Sequence, residues 1–231
     1  MGLKSFVCYC LLLSATSSLA QQEDYLREIK TALQKKWPEN RTINLVFHGH
    51  SVPSGYAKTP EVRTFDAYPF LVLQELKKRY PYAVINVITT SIGGENSTRG
   101  LNRFKKEVLP HRPDVLFIDY ALNDRAIGLE QSRRNIEKMI QLALRKNIRI
   151  ILMTPSADEQ VNLLQTGNAL EQQATQLAKL AEKYKIGLAD SYSRFKQLEE
   201  QQKNIHNYMA QSNHPNRSGH ELIAAEILRY F

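Results

Sequence analysis

Cysteine is nearly missing from this 231-residue chain: there are two, Cys8 and Cys10, both within the first twenty residues. If those residues are removed, no disulfide, thiolate metal site or cysteine nucleophile remains available. A tract of one charge is missing too. The net charge is +8 and the sequence pI about 9.4, yet the lysines and arginines are scattered among acids. That reads as a solvated surface with a mild preference for anionic partners and argues against a nucleic-acid partner. No apolar run is long enough to span a bilayer, and no repeat, low-complexity stretch or linker divides the chain. With 42% hydrophobic and 23% charged residues, the length suits one globular domain with a sizeable core.

The first twenty residues have the layout of a secretory leader. Lys4 supplies the positive end, Phe6 to Leu13 an apolar centre, and Ser18-Leu19-Ala20 small residues for cleavage. The expectation is a signal peptide over 1–20, a single domain over 21–231, and a secreted or periplasmic product with no stable membrane insertion. Losing Lys4 leaves a net charge of +7. Asn40, Asn96 and Asn216 each begin an Asn-x-Ser/Thr sequon, relevant only in a host that glycosylates.

From Gln21 onward, strand-like and helix-like segments alternate. A polar helix over Gln21 to Trp37 precedes a strand over Ile43 to Phe47. Helical spacing covers Thr64 to Tyr80, with Phe65, Tyr68, Leu71, Val72 and Leu76 on one face. Strands are expected at Tyr82 to Ile88, Asp114 to Tyr120, Ile148 to Met153 and Ile186 to Ala189. Helices are expected at Ser97 to Val108, Leu129 to Lys146, Gly167 to Tyr184, Tyr192 to Lys203 and Ser218 to Tyr230. This order predicts a five-stranded parallel sheet covered by helices on both faces.

Four places in that frame carry chemistry. Ser51, in Phe47-His48-Gly49-His50-Ser51-Val52-Pro53, follows the first strand, at the end where open parallel sheets bind ligands. Gly93-Gly94 follows the second strand, Asn123 the third, and His214-Pro215-Asn216 precedes the last helix. Each has an ordinary reading as a turn, a cap or a helix start. Together they supply acyl transfer. Serine needs a base to become a nucleophile, and histidine titrates in the right range. The backbone N–H of Ser51, that of a glycine and the Asn123 amide can hold an oxyanion. His48 and His50, at i and i+2 of an extended segment, would point the same way and suit zinc, but no third ligand lies nearby. No metal site and no cofactor are expected.

These blocks resemble the SGNH (GDSL-like) hydrolases. Gly49-His50-Ser51 matches the family's first block, usually Gly-Asp-Ser. Gly94 best matches the second-block glycine, with Gly93 the fallback. Ala121-Leu122-Asn123-Asp124 matches the third block and Gln211-Ser212-Asn213-His214-Pro215 the last. The resemblance implies a flavodoxin-like three-layer α/β/α sandwich. It implies Ser51 and His214 as catalytic residues and Ser51, Gly94 and Asn123 as oxyanion hole. Three positions depart: His50 for aspartate, Ala121 for glycine, and Gln211 where the triad acid belongs. A glutamine oxygen or a backbone carbonyl can orient the imidazole without bringing negative charge. The expectation is a Ser51–His214 dyad with Gln211 as the orienting candidate, unless Asp158 or Glu159, beyond the fourth strand, supplies an acid; Asp190 reads as structural. The resemblance further implies an ester substrate, with O-acetyl groups on a carbohydrate favoured; Tyr56, Tyr120 and Arg125 are polar or aromatic residues near the site that would suit a sugar, with Tyr56 and Arg125 the substrate-binding candidates. A lipase- or thioesterase-like hydrolase and a non-catalytic glycan-binding relative are the alternatives.

Overall fold

The computed structural model describes residues 25–231. The proposed leader and both cysteines lie outside the described residues.

The elements run in the order α1 (Arg27–Gln34), β1 (Thr42–Gly49), α2 (Ser51–Ser54), α3 (Tyr68–Arg79), β2 (Val84–Thr89), α4 (Ser97–Glu107), β3 (Val115–Asp119), α5 (Ala121–Asp124), α6 (Leu129–Leu144), β4 (Arg149–Met153), α7 (Ala169–Tyr184), β5 (Gly187–Ala189), α8 (Ser191–Glu200), β6 (Met209–Gln211), β7 (His214–Pro215) and α9 (Arg217–Leu228). The first five strands form one sheet in the order β2-β1-β3-β4-β5, and every pairing is parallel. Crossover helices lie on both faces, giving the expected three layers.

Strand alternation builds two cores. Ile43, Leu45, Phe47, Val115, Phe117 and Ile151 pack on one side with Leu71, Val72 and Leu76 of α3 and Ile223 and Ile227 of α9. Val46, Leu116, Ile118, Ile150 and Leu152 pack on the other with Phe104 of α4 and Ile136, Met139 and Ile140 of α6. Phe47 and Phe117, partners in the β1–β3 register, stack with ring centroids 4.2 Å apart. β1 and β3 are buried on both faces, hence their near-continuous apolar runs. The edge strand β2 is half exposed.

Helix starts follow local chemistry. Asn96, Asn168 and Asn216 cap α4, α7 and α9 with side-chain oxygens that accept the first free N–H groups. Pro69 sits in the first turn of α3, and Lys77, Lys78 and Arg79 complete its last. The segment Thr64–Asp66, expected as the start of that helix, is a separate 3-10 turn. The stretch after Gly49, expected as loop, makes the helical turn α2, which Gly55 ends at φ +86°. A two-stranded hairpin, β6–β7, was not expected at all. It pairs Gln211 with His214.

Among the described residues no helix is long and apolar enough to cross a membrane.

Candidate active site

Ser51 opens α2 immediately beyond the end of β1. His214 arrives from the far end of the chain on β7. Their side chains meet: Ser51 Oγ is 2.9 Å from His214 Nε2, and both residues are buried. The other ring nitrogen, Nδ1, is 3.0 Å from the carbonyl oxygen of Ala57. A carbonyl only accepts, so the ring hydrogen belongs on Nδ1, which leaves the Nε2 lone pair for the Ser51 hydroxyl. Burial pushes the His214 pKa below the ordinary 6.5; the Ala57 carbonyl opposes that shift and neighbouring His50 adds slightly to it. The ring is therefore held neutral, as a proton acceptor has to be.

Gln211 is not the orienting partner. Its Oε1 accepts the N–H of Thr59 at 2.8 Å, and Ala57 takes the position in front of Nδ1. The cause lies in the chain from Gly55 to Arg63. It folds back on itself through Arg63 N–H to Gly55 O and Ala57 N–H to Glu61 O. That turn lays the Ala57 carbonyl beside His214 and the Thr59 amide beside Gln211. Neither candidate acid reaches the ring. Asp158 is paired with Arg125 at 2.8 Å, and Glu159 with His206 at 2.6 Å. Arg125, expected to be open to substrate, has its guanidinium committed to Asp158 and to the Leu122 carbonyl. Asp190 accepts from Ser193 and Thr154 at the start of α8, in keeping with a structural part.

The second-block loop is tied to the end of β1. Ile92 N–H donates to Gly49 O at 3.1 Å, and the Ser54 and Ser91 hydroxyls meet at 2.8 Å. The two glycines differ. A Cβ on Gly93 would lie 2.9 Å from the Tyr56 ring, whereas Gly94 has φ +72° and open space where its Cβ would be. Gly94 thus needs its backbone freedom, and Gly93 makes room for Tyr56. The Tyr56 ring also stands beside His214, centroids 6.0 Å apart. Asn123, on α5, donates from Nδ2 to the Glu95 carbonyl at 2.9 Å, joining the third block to the second.

Nothing in the sequence marks Glu95, yet it anchors this loop. It is 1% exposed. Arg103 grips its carboxylate with Nε at 2.9 Å and Nη2 at 2.5 Å, and Tyr120 donates its hydroxyl at 2.8 Å. The Tyr120 oxygen is 3.1 Å from His48 Nε2. His48 thus belongs to this network and His50 to Ser51, so the two histidines face different partners. Burial and the nearby Arg103 charge lower the His48 pKa to about 4. Among the described residues no group of three or more His, Cys, Asp or Glu is placed to hold a metal ion.

Residues 47–222 match the GDSL-like lipase/acylhydrolase family. No curated protein matches the sequence. Among solved structures, the fold is similar to a two-domain esterase active on acetylated mannans. Sequence identity is 20% and the TM-score 0.72; the match covers 89% of this chain and 52% of that one, so this chain spans about half of its length. It is also similar to an acetylxylan esterase from Geobacillus stearothermophilus, at 20% identity and a TM-score of 0.71, over 81% of this chain and 93% of the other.

Proposed function

This chain belongs to the GDSL-like lipase/acylhydrolase family, and on that premise we propose that it is a secreted or periplasmic serine esterase that removes O-acetyl groups from a carbohydrate, its residues 21–231 forming one catalytic domain. The observation that carries the reading is the 2.9 Å contact between Ser51 Oγ and a His214 ring whose other nitrogen is held by a carbonyl.

In this mechanism His214 takes the Ser51 proton as Oγ attacks the ester carbonyl. The backbone N–H of Ser51, that of Gly94 and the amide of Asn123 hold the developing oxyanion. The leaving sugar alcohol takes the proton back from His214. Water, activated by the same ring, then releases acetate from Ser51. The Ala57 carbonyl orients the imidazole in place of a triad acid and brings no full negative charge. Gln211 supports it indirectly, by bracing Thr59 two residues further on.

The carbohydrate assignment draws on the solved structures similar to this fold, which act on acetylated mannan or xylan, and on the Tyr56 ring beside His214. Secretion draws on the leader-like first twenty residues. The test compares acetylated xylan, mannan and their oligosaccharides with 4-nitrophenyl esters of increasing chain length. Release of acetate from a glycan, with the C2 ester preferred over C8 or longer, supports the reading. A preference for long acyl chains replaces it with a lipase-like activity. Failure of a fluorophosphonate to label Ser51 points to a binding protein without chemistry.

A further inference from the structure

Ser51 has a second imidazole beside it. His50 Nδ1 lies 3.5 Å from Ser51 Oγ, and the His50 residue is 1% exposed. The N–H of Val52 donates to the same Nδ1 at 3.3 Å. An amide can only donate, so Nδ1 carries the lone pair and the ring hydrogen belongs on Nε2. Nε2 faces Asp119 Oδ1 at 3.3 Å. That approach is at ion-pair distance but off the N–H direction, so Nε2 has no well-aligned hydrogen-bond partner. Asp119 is fixed from its other side by the Tyr68 hydroxyl, 2.9 Å from Oδ2.

The backbone enforces this placement. Gly49 and Asp119 are partners in the β1–β3 register. A Cβ on Gly49 would come 2.4 Å from the Asp119 carbonyl oxygen. Two strand ends can approach this closely only with glycine there, and the approach sets a buried carboxylate against the residue that precedes the nucleophile. The other acids around the site are engaged elsewhere: Glu95 with Arg103, Asp158 with Arg125, and Asp124 with Ser97 N–H and the Ser132 hydroxyl. The carboxylate–imidazole pair that His214 lacks is therefore built behind His50.

We propose that His50, held by Asp119, is a second proton acceptor for Ser51, working beside His214. The inference rests on the esterase reading above. In the step it performs, the Ser51 O–H bond breaks and the proton joins the Nδ1 lone pair. Oγ bonds to the ester carbonyl carbon while the carbonyl π pair moves onto oxygen. As the ester C–O bond then breaks, the departing alcohol oxygen takes the proton from Nδ1. Asp119 gives up no proton in the step and faces the ring from 3.3 Å as the imidazolium forms. Val52 N–H loses its acceptor while Nδ1 is protonated, which makes His50 the weaker acceptor, in line with the shorter contact to His214.

His50→Asn and Asp119→Asn, each alone and combined with His214→Ala, test the proposal. The readouts are kcat and KM on 4-nitrophenyl acetate, the rate of Ser51 labelling by a fluorophosphonate, and the melting temperature. His214→Ala is expected to keep turnover about tenfold or more above Ser51→Ala, since one base of two remains. Adding His50→Asn or Asp119→Asn is expected to remove most of that remainder. Adding both is expected to do no more than either, because the two act as one pair. In the protein with His214 intact, each single change lowers kcat and leaves KM in place. The proposal is overturned if His214→Ala falls to the Ser51→Ala background, or if its remainder survives His50→Asn. It is overturned equally if the losses follow the melting temperature alone. His50→Gln serves where His50→Asn does not fold. A wild-type protein that neither cleaves acetate esters nor takes the label defeats the esterase reading itself; a labelled wild type indifferent to His50 and Asp119 defeats only this inference.

Discussion

At the residue scale the character of the proposed Ser51–His214 dyad is set by what stands behind His214. A carbonyl dipole orients the ring as well as a carboxylate does but stabilises the imidazolium less. Burial acts in the same direction and lowers the His214 pKa below 6.5. A base works when neutral, so the acidic limb of kcat/KM is expected below pH 6.5, with activity retained into mildly acidic solution; a limb above 6.5 contradicts the burial argument. Gln211→Ala is expected to lower kcat only modestly, because it removes a brace on Thr59 and leaves the Ala57 carbonyl in place. Asn123→Ala is expected to lower kcat on the order of 10²-fold or more, as loss of an oxyanion donor does. Its melting temperature is expected to fall little, since the Asn123 side chain's one bond to the Glu95 carbonyl is part-buried. Steady-state kinetics beside thermal melts separates the two effects.

At the scale of elements, most of the architecture was legible. The strands announced themselves as apolar runs and the helices by a 3.6-residue period, so a five-stranded parallel sheet followed from alternation, while the order β2-β1-β3-β4-β5 within it did not. Ser51, Gly94 and Asn123 could be singled out as candidates because each stands just past an expected strand and matches a block of the family. What stayed hidden has a common physical origin. Met209–Gln211 and His214–Pro215 are too short to show any period, so the hairpin that carries His214 left no trace. The Ala57 carbonyl is a backbone group that nearly every residue possesses, so no residue type flags it. Glu95 and Asp119 read as a loop acid and a strand end, and only the tertiary fold shows what they touch. Gly100, on α4, is the clearest element-scale consequence. A Cβ there would sit 2.3 Å from the Tyr120 hydroxyl, the atom that links His48 to Glu95. Gly100→Ala is expected to cost about 1–3 kcal/mol through overpacking. It is also expected to lower kcat by loosening the Glu95 loop that receives Asn123. Unchanged melting together with unchanged kcat shows that the network tolerates displacement of Tyr120.

At the scale of the whole molecule, two histidines outside the dyad make stability depend on pH. His220, on α9, accepts the Tyr68 N–H through Nδ1 at 3.3 Å; burial lowers its pKa to about 4. His48, inside the Glu95 network, is likewise held near 4, by burial and by Arg103. In the unfolded chain both titrate near 6.5. Between about pH 6.5 and 4 the unfolded state therefore binds two protons that the folded state refuses. Stability rises with pH wherever the unfolded state holds more protons, so the contribution is complete above 6.5 and is lost as pH falls toward 4. At about 1.4 kcal/mol for each pH unit that separates the folded from the unfolded pKa, each ring contributes up to about 3 kcal/mol. Melting temperature is expected to fall steeply from pH 6.5 to 4.5. His220→Asn, whose side chain can still offer an acceptor near Tyr68 but does not titrate, is expected to be less stable at pH 7.5 and to show a shallower fall. The span begins at pH 6.5, and the lowered His214 pKa puts protonation of that ring below 6.5 as well, so loss of activity there has two separable sources. Reversible loss at low temperature reports the titration of the dyad. Loss that grows with temperature, and that is smaller in its pH dependence for His220→Asn, reports unfolding. A melting temperature flat across this range shows that these rings take up protons in the folded state without cost, and the burial argument for both fails.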